Sequence, residues 1–348
     1  VTYGFVAQIQ ENNGSTRVKC SLGNGKHAGF FEKEIRMVKA TSITTTLVIS
    51  ALFVVMASAK ATPTRIIYVD AAAPGANDGS SWWNAYRDLQ NALADADSSA
   101  KLLEVRVARG TYKPDRGAGI TPGDREASFR LINGVSLKGG YASLAGLDPN
   151  ARDIHKYQTV LSGDLKSNDM GVSNLWELWR DPSRADNSYH VVISSENDAT
   201  AVLDGLTISK GHAQYSNPYY EPEPSEELNC DGGGMYIMYG SSPTLINCTF
   251  TNNSASDYGG GIANRGDPML VNCRFVGNWG THHIYCICDY DYEHEQEQNC
   301  WCGEARACGG GMHNFFGSPT LVNCTFSGNC IEGCGGGICI GAGNPTLS

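Results

Sequence analysis

Charge is scarce in this 348-residue chain, and positive charge is scarcest: charged residues make up 18%, with 26 Lys and Arg against 36 Asp and Glu and a formal net charge of −10. So few basic residues leave no electrostatic footprint for nucleic acid, which is excluded as a partner. Long apolar runs are also missing. The most extended one, Leu47 to Met56, has ten residues, about half of the ~20 that a membrane-spanning helix needs. The chain shows no leucine-repeat consensus, no phosphate-binding loop, no nucleophile motif and no dinucleotide fingerprint, which removes leucine-rich solenoids and nucleotide-dependent enzymes. What is plentiful is glycine, 41 residues. With so little charge, that composition suits many short strands joined by tight turns rather than helices.

The apolar run has a context. Met37-Val38-Lys39 makes a short basic start, Leu47–Met56 follows, and Ala57-Ser58-Ala59 and Ala59-Lys60-Ala61 offer small-residue cleavage sites. This is the order of a secretory signal. Residues 37–61 are therefore read as a signal peptide. Residues 1–36, which precede it without an initial Met, are read as a non-native upstream segment. The leader carries more Lys and Arg than Asp and Glu, so the chain from residue 62 onward is more acidic than the whole.

The second half repeats. Gly232–Gly234, Gly259–Gly261, Gly309–Gly311 and Gly335–Gly337 are triple glycines. The first three precede Pro243–Asn253 (PTLINCTFTNN), Pro268–Asn278 (PMLVNCRFVGN) and Pro319–Asn329 (PTLVNCTFSGN); the fourth precedes Pro345 and the end of the chain. The prolines are spaced by 25, 51 and 26 residues, the middle interval holding one insertion. Within Ile246–Phe250 apolar residues alternate, as in a strand with one buried face. A lone strand of this kind cannot bury that face, but repeats stacked at the ~4.8 Å strand spacing line up like residues. The expected ladder sets Cys248, Cys273 and Cys324, and Phe250, Phe275 and Phe326, in an interior column. Asn247, Asn272 and Asn323 point outward, and Asn253, Asn278 and Asn329 lie at the following bend, where Asn tolerates left-handed geometry. Parallel strands joined this way coil right-handed. The fold class expected is all-β, a right-handed parallel β-helix.

Gly260-Gly261-Ile262, Gly336-Gly337-Ile338 and the Phe-x-x-Asn units ending at Asn253, Asn278 and Asn329 resemble the GG[ALI] and FxxN motifs of polymorphic outer membrane protein repeats. The resemblance spans about residues 230–348, with Met235 and Met312 departing from the motif. It implies a β-helix displayed on a bacterial surface and says little of activity.

In the first half, Ile66–Val69, Val105–Ala108 and Val135–Leu137 read as strands, and Trp83, Tyr86, Leu89 and Leu93 fall at helical spacing over residues 83–96. A strand, a helix and further strands resemble the N-terminal cap of secreted β-helix proteins of the pectate-lyase-like class. The cap is placed at about 62–130 within a single domain, 62–348. An open coil end would otherwise expose unpaired backbone. Leu206 and Ile208 take the places of Cys248 and Phe250 in an early coil. The chain stops within a repeat, read here as C-terminal truncation, with any membrane barrel lying beyond Ser348.

Two insertions break the repeat at one corner. The first, about residues 212–229, carries Tyr219, Tyr220 and Glu221; the second, about 280–307, carries Tyr285, Asp289, Tyr290 and Asp291. Tyrosine rings stack on sugars and acidic oxygens take Ca²⁺, so these residues are the candidate binding set and Ca²⁺ the one cofactor considered; no other is evident. Cys286-x-Cys288 and Cys300-x-Cys302 with His282, His283 and His294 read either as a Zn²⁺ site or as disulfides. One intervening residue instead of two, together with export, favours disulfides and no metal. Cys308 and Cys334 each precede a triple glycine and form a candidate pair. Asp231, Asp257, Asp267, Arg265 and Arg274 are candidates to share an outer face, but no spacing among them defines an acid–base pair, and catalytic residues stay unassigned. The function expected is a secreted or cell-surface β-helix, adhesin-like or glycan-binding and not evidently catalytic, with a polysaccharide, a cell-surface glycan or a neighbouring surface protein as partner. The alternative is a polysaccharide lyase or glycoside hydrolase.

Overall fold

The computed structural model describes residues 4–12, 15–23, 65–171, 178, 181–214, 230–280, 284–291, 296–304, 309–331 and 335–348. The chain divides into two units, Val1–Thr62 and Pro63–Ser348. In the first, Gly4–Asn12 and Ser15–Gly23 pair as an antiparallel hairpin. The expected signal segment, residues 37–61, lies outside the described residues.

The second unit is a parallel β-helix. One sheet runs through Arg65–Val69, Leu103–Ala108, Val135–Tyr141, Val202–Asp204, Thr244–Ile246, Met269–Val271, Thr320–Val322 and Thr346–Leu347. A second holds Gly110–Tyr112, Thr159–Ser162, Thr207–Ser209, Thr249–Thr251, Arg274–Val276 and Thr325–Ser327. A third, entered from the triple glycines in the later coils, holds Phe129–Arg130, Val192–Ser194, Met235–Ile237, Ile262–Asn264, Met312–Asn314 and Ile338–Ile340. A narrow fourth carries His212–Ala213, Ser254–Ala255, Trp279–Gly280 and Cys330–Ile331. Neighbouring strands in all four pair in parallel.

The columns inside follow the repeat. Phe275 stacks on Phe250 at 5.0 Å and on Phe326 at 4.5 Å, with rings within 9° and 6° of parallel. The thiols of Cys248, Cys273 and Cys324 point at backbone carbonyls of their own coil and the one before. Leu245, Leu270 and Leu321 form a further buried column.

That column corrects the expectation that Ile246–Phe250 is one strand. Asn247, Asn272 and Asn323 take left-handed backbone angles, φ 53°, 54° and 50°. Each turns the chain between the first and second sheets, so strand parity does not carry across. Leu245 faces in, while Ile246, Val271 and Val322 are half-buried. In the coil before them Gly205, at φ 72°, holds the same place. Asn253 and Asn278 are not left-handed; they are fully buried. Asn253 Nδ2 donates to Asn278 Oδ1 at 3.0 Å, and Asn278 Nδ2 to Asn329 Oδ1 at 2.9 Å. A shallower ladder joins the left-handed residues: Asn323 donates to Asn272, and Asn272 to Asn247. At the glycine corner Gly259 has φ 62°, and a Cβ on Gly260 would sit 2.0 Å from the Trp279 carbonyl, so neighbouring coils close there only without side chains.

The cap also differs from expectation. The helix is Leu89–Ser98, starting after Asp88 rather than at Trp83. Leu89, Ala92, Leu93 and Ala96 are its buried face, packed on the first coils. Trp83 is 60% exposed. Tyr86 instead bridges to Val69, and its backbone trades hydrogen bonds with Tyr68 and Asp70. Residues 79–86 thus cover the edge of the first strand, the job edge strands require of a neighbour. No helix among the described residues is long and apolar enough to cross a membrane.

Candidate functional site

Of the sequence-selected binding residues, Tyr219, Tyr220 and Glu221 lie outside the described residues. Tyr285, Asp289, Tyr290 and Asp291 lie on Ile284–Asp291, which pairs antiparallel with Gln296–Glu304; the second insertion is a β-ribbon. Cys308 and Cys334 are outside the described residues. Among those described, no group of three His, Cys, Asp or Glu converges to hold a metal ion.

The structure brings three of the five proposed outer-face residues together. Asp231 precedes one triple glycine and Asp257 lies two residues before the next, so coil stacking sets them side by side. Asp231 Oδ1 accepts the Tyr258 N–H at 3.2 Å, and its Oδ2 lies 3.4 Å from Arg265. Burial, with the neighbouring Asp257 charge adding to it, pushes the Asp231 carboxyl up to about 8. Arg265 lies over the Phe315 ring at 4.2 Å, and Tyr258 packs on His313 at 4.7 Å. Burial and the Arg265 charge bring His313 down to about 4, so it is neutral at pH 7. A carboxyl that keeps its proton near neutrality is what general acid chemistry uses, but here it is 4% exposed. Asp267 and Arg274 are elsewhere. Asp267 caps a turn by accepting the Ser318 N–H, and Arg274 projects from the second sheet.

A cleft of about 400 Å³ opens at the other end of the unit, lined by residues from the cap and the first coils, among them Arg87, Asp88, Lys113, Arg116, Asp164 and Lys210. The helix begins at its wall, adding the positive end of its dipole. Four cations face two carboxylates, in a protein whose net charge is −10. Lys210 holds Asp164 at 2.8 Å. Burial alone would raise the Asp164 carboxyl; the Lys210 ammonium and the N–H groups of Asn168 and Asp169 outweigh it and lower it. Lys113 donates to the Leu165 carbonyl and the Ser167 hydroxyl, and Arg87 to the carbonyls of Ala73 and Gly75. Burial lowers the Lys113 ammonium. Thr111, Tyr112 and Ser162 complete a hydroxyl-bearing wall.

Next to the cleft, Asp169 ties Lys210 to Arg184, which is 2% exposed. Arg184 Nη2 donates to the carbonyls of Gly211 and Asn252 and to Ser254 Oγ. Burial raises the Asp169 carboxyl and lowers the Arg184 guanidinium. The sequence pattern missed this cleft: its residues come from separate coils at spacings with no common period. The one available signal was a cluster of basic residues, Arg109, Lys113 and Arg116, within an acidic chain.

Comparison with known proteins follows the fold. The family model for the right handed beta helix region matches residues 184–348, which gives the coil its hand. Among curated proteins none matches the sequence. Among solved structures, the pectin methylesterase PemA from Erwinia chrysanthemi is matched at 11% identity and a TM-score of 0.35, over 76% of this chain and 54% of that one. The chain thus spans about half the length of that structure.

Proposed function

We propose that this chain is a secreted or cell-surface β-helix protein, adhesin-like, that binds a polysaccharide carrying carboxylates. The cleft carries the reading: Arg87, Lys113, Arg116 and Lys210 gather in a concave site with hydroxyl groups beside them. An excess of cations on an acidic molecule selects anionic ligands and repels none of the neutral hydrogen bonding that sugars need. The leader-like segment at 37–61 supports export. Calorimetric titration with polygalacturonate, alginate and neutral dextran tests it. Binding of the two uronates that weakens as salt rises from 50 to 500 mM, and drops about tenfold in a Lys113→Gln/Arg116→Gln variant, is the expected result. Equal binding of dextran, or indifference to that substitution, overturns it.

A second reading rests on a separate observation, the buried Asp231 carboxyl beside Asp257 and Arg265, pushed up to about 8 by burial and the Asp257 charge. It makes the chain a polysaccharide lyase or glycoside hydrolase. Turnover of those polymers, abolished by Asp231→Asn, would replace the binding reading.

A further inference from the structure

The insertion at residues 280–307 places four cysteines in two facing pairs. In the antiparallel ribbon, Cys286 lies directly opposite Cys302 and Cys288 directly opposite Cys300. Residues two apart on a strand share a face, so all four occupy one face of the ribbon. The register is specific: Ile287 faces Trp301 between the two pairs, and a slip of one residue would set each cysteine against a non-cysteine. Directly opposed residues have Cα atoms about 4.5 or 5.5 Å apart, inside the ~4.4–6.8 Å range a disulfide spans. The diagonal partners, Cys286 with Cys300 and Cys288 with Cys302, are about 7–8 Å apart, at or beyond that limit. A register shift after Cys288 leaves one extra residue, Asn299, unpaired in the opposite strand. Beyond it the ladder resumes with Asp289 opposite Gln298, so the irregularity falls just past the second cysteine pair and leaves both pairs opposed.

The ribbon needs such help. Its sheet has two strands, and an isolated two-stranded ribbon is marginal in water at best. A single tetrahedral Zn²⁺ would have to gather sulfurs from pairs about 6.8 Å apart along the strands to a common centre at ~2.3 Å, a poorer match than two separate bridges.

We propose that the ribbon is closed by two cross-strand disulfides, Cys286–Cys302 and Cys288–Cys300, which make the insertion a rigid finger at a corner of the β-helix. Each bond forms by exchange with an external small-molecule or protein disulfide. One protein thiolate attacks it and releases a thiol; its partner thiolate then attacks the mixed disulfide and releases the second. The two protein thiols are oxidised, and the external disulfide is reduced to two thiols.

Mass spectrometry on the full chain, produced by export into an oxidising compartment and alkylated without reduction, reads the pairing. Peptides joined as 286–302 and 288–300 are expected after digestion, with fragmentation between the cysteines assigning each link. Two double variants sharpen the test. Cys286→Ser/Cys302→Ser should retain one ribbon disulfide, whereas Cys286→Ser/Cys300→Ser, which leaves a diagonal pair, should retain none. Limited proteolysis should cut the ribbon at least tenfold faster after reduction. Diagonal or external pairing overturns the proposal. So do four alkylatable thiols, or one equivalent of Zn²⁺ per chain by elemental analysis, the latter establishing a metal site instead.

Discussion

The early coils, residues 65–214, and the later ones, 230–348, close the same corner by different means. In the later coils Asn253, Asn278 and Asn329 stand one above another, each amide bonding the next. From the early coils one arginine, Arg184, reaches in from the short 3₁₀ segment Pro182–Asp186 and satisfies Gly211 in its own region together with Asn252 and Ser254 in the first of the later coils. The two systems meet where the Gly211 N–H donates to Asn253 Oδ1. A ladder needs the same residue at the same place in each coil; where sequences differ from coil to coil, a long, many-donor side chain does the work of several amides. The price is a buried charge, held by Asp169.

The contrast can be broken most sharply at Arg184. Arg184→Ala leaves a buried carboxylate without its main partner and strips three acceptors, a loss of about 3–5 kcal/mol. It should show as a lower denaturant midpoint, with faster hydrogen exchange confined to residues 209–213 and 252–255. A uniform loss across all coils would show that the corner is not a local device. In the later coils Asn278→Ala removes the middle rung, taking away the acceptor of the Asn253 backbone N–H and side-chain amide and one donor to the Phe250 carbonyl, for about 2–3 kcal/mol. Asn272→Gly, on the shallow ladder, keeps the left-handed angle and should change stability by no more than ~0.5 kcal/mol. Comparable effects from the two would mean that burial does not distinguish the ladders.

A separate effect is in pH. Folded Asp231 keeps its proton to about 8, while the unfolded chain loses it near 3.9, so stability from this group is greatest in acid and falls as pH rises toward 8. His313, held at about 4, works in the opposite sense, its contribution falling as pH drops from ~6.5 through about 4. Of these two, only the aspartate titrates above pH 6.5. Asp231→Asn should therefore flatten the decline between pH 6.5 and 7.5, by about 1 kcal/mol, in thermal unfolding followed at each pH. An unchanged slope would assign the decline to other groups.

The coil period was legible because stacking demands identity: Cys over Cys and Phe over Phe cannot be arranged without repeating letters. The parity within a coil was not. Alternation through Ile246, Cys248 and Phe250 has the look of one strand, and the left-handed turn at Asn247 that moves Leu245 inside leaves no mark on hydrophobic spacing. Trp83 and Tyr86 misled in the same way, sharing a helical period with Leu89 and Leu93 while serving as an edge cover. Of the outer cluster, Asp231, Asp257 and Arg265 could be picked out because each sits near a repeat landmark. The cleft could not, since Arg87, Lys113 and Lys210 meet only after the coils have been wound.

The uniform amide rungs carry a hazard of their own. To an asparagine at one level, the levels above and below offer the same mate, so a growing stack has little means of counting, and a layer skipped or docked out of turn would find its bonds satisfied. Arg184 has one set of acceptors and cannot be satisfied anywhere else. It supplies a zero mark from which the interchangeable layers can be assembled in order.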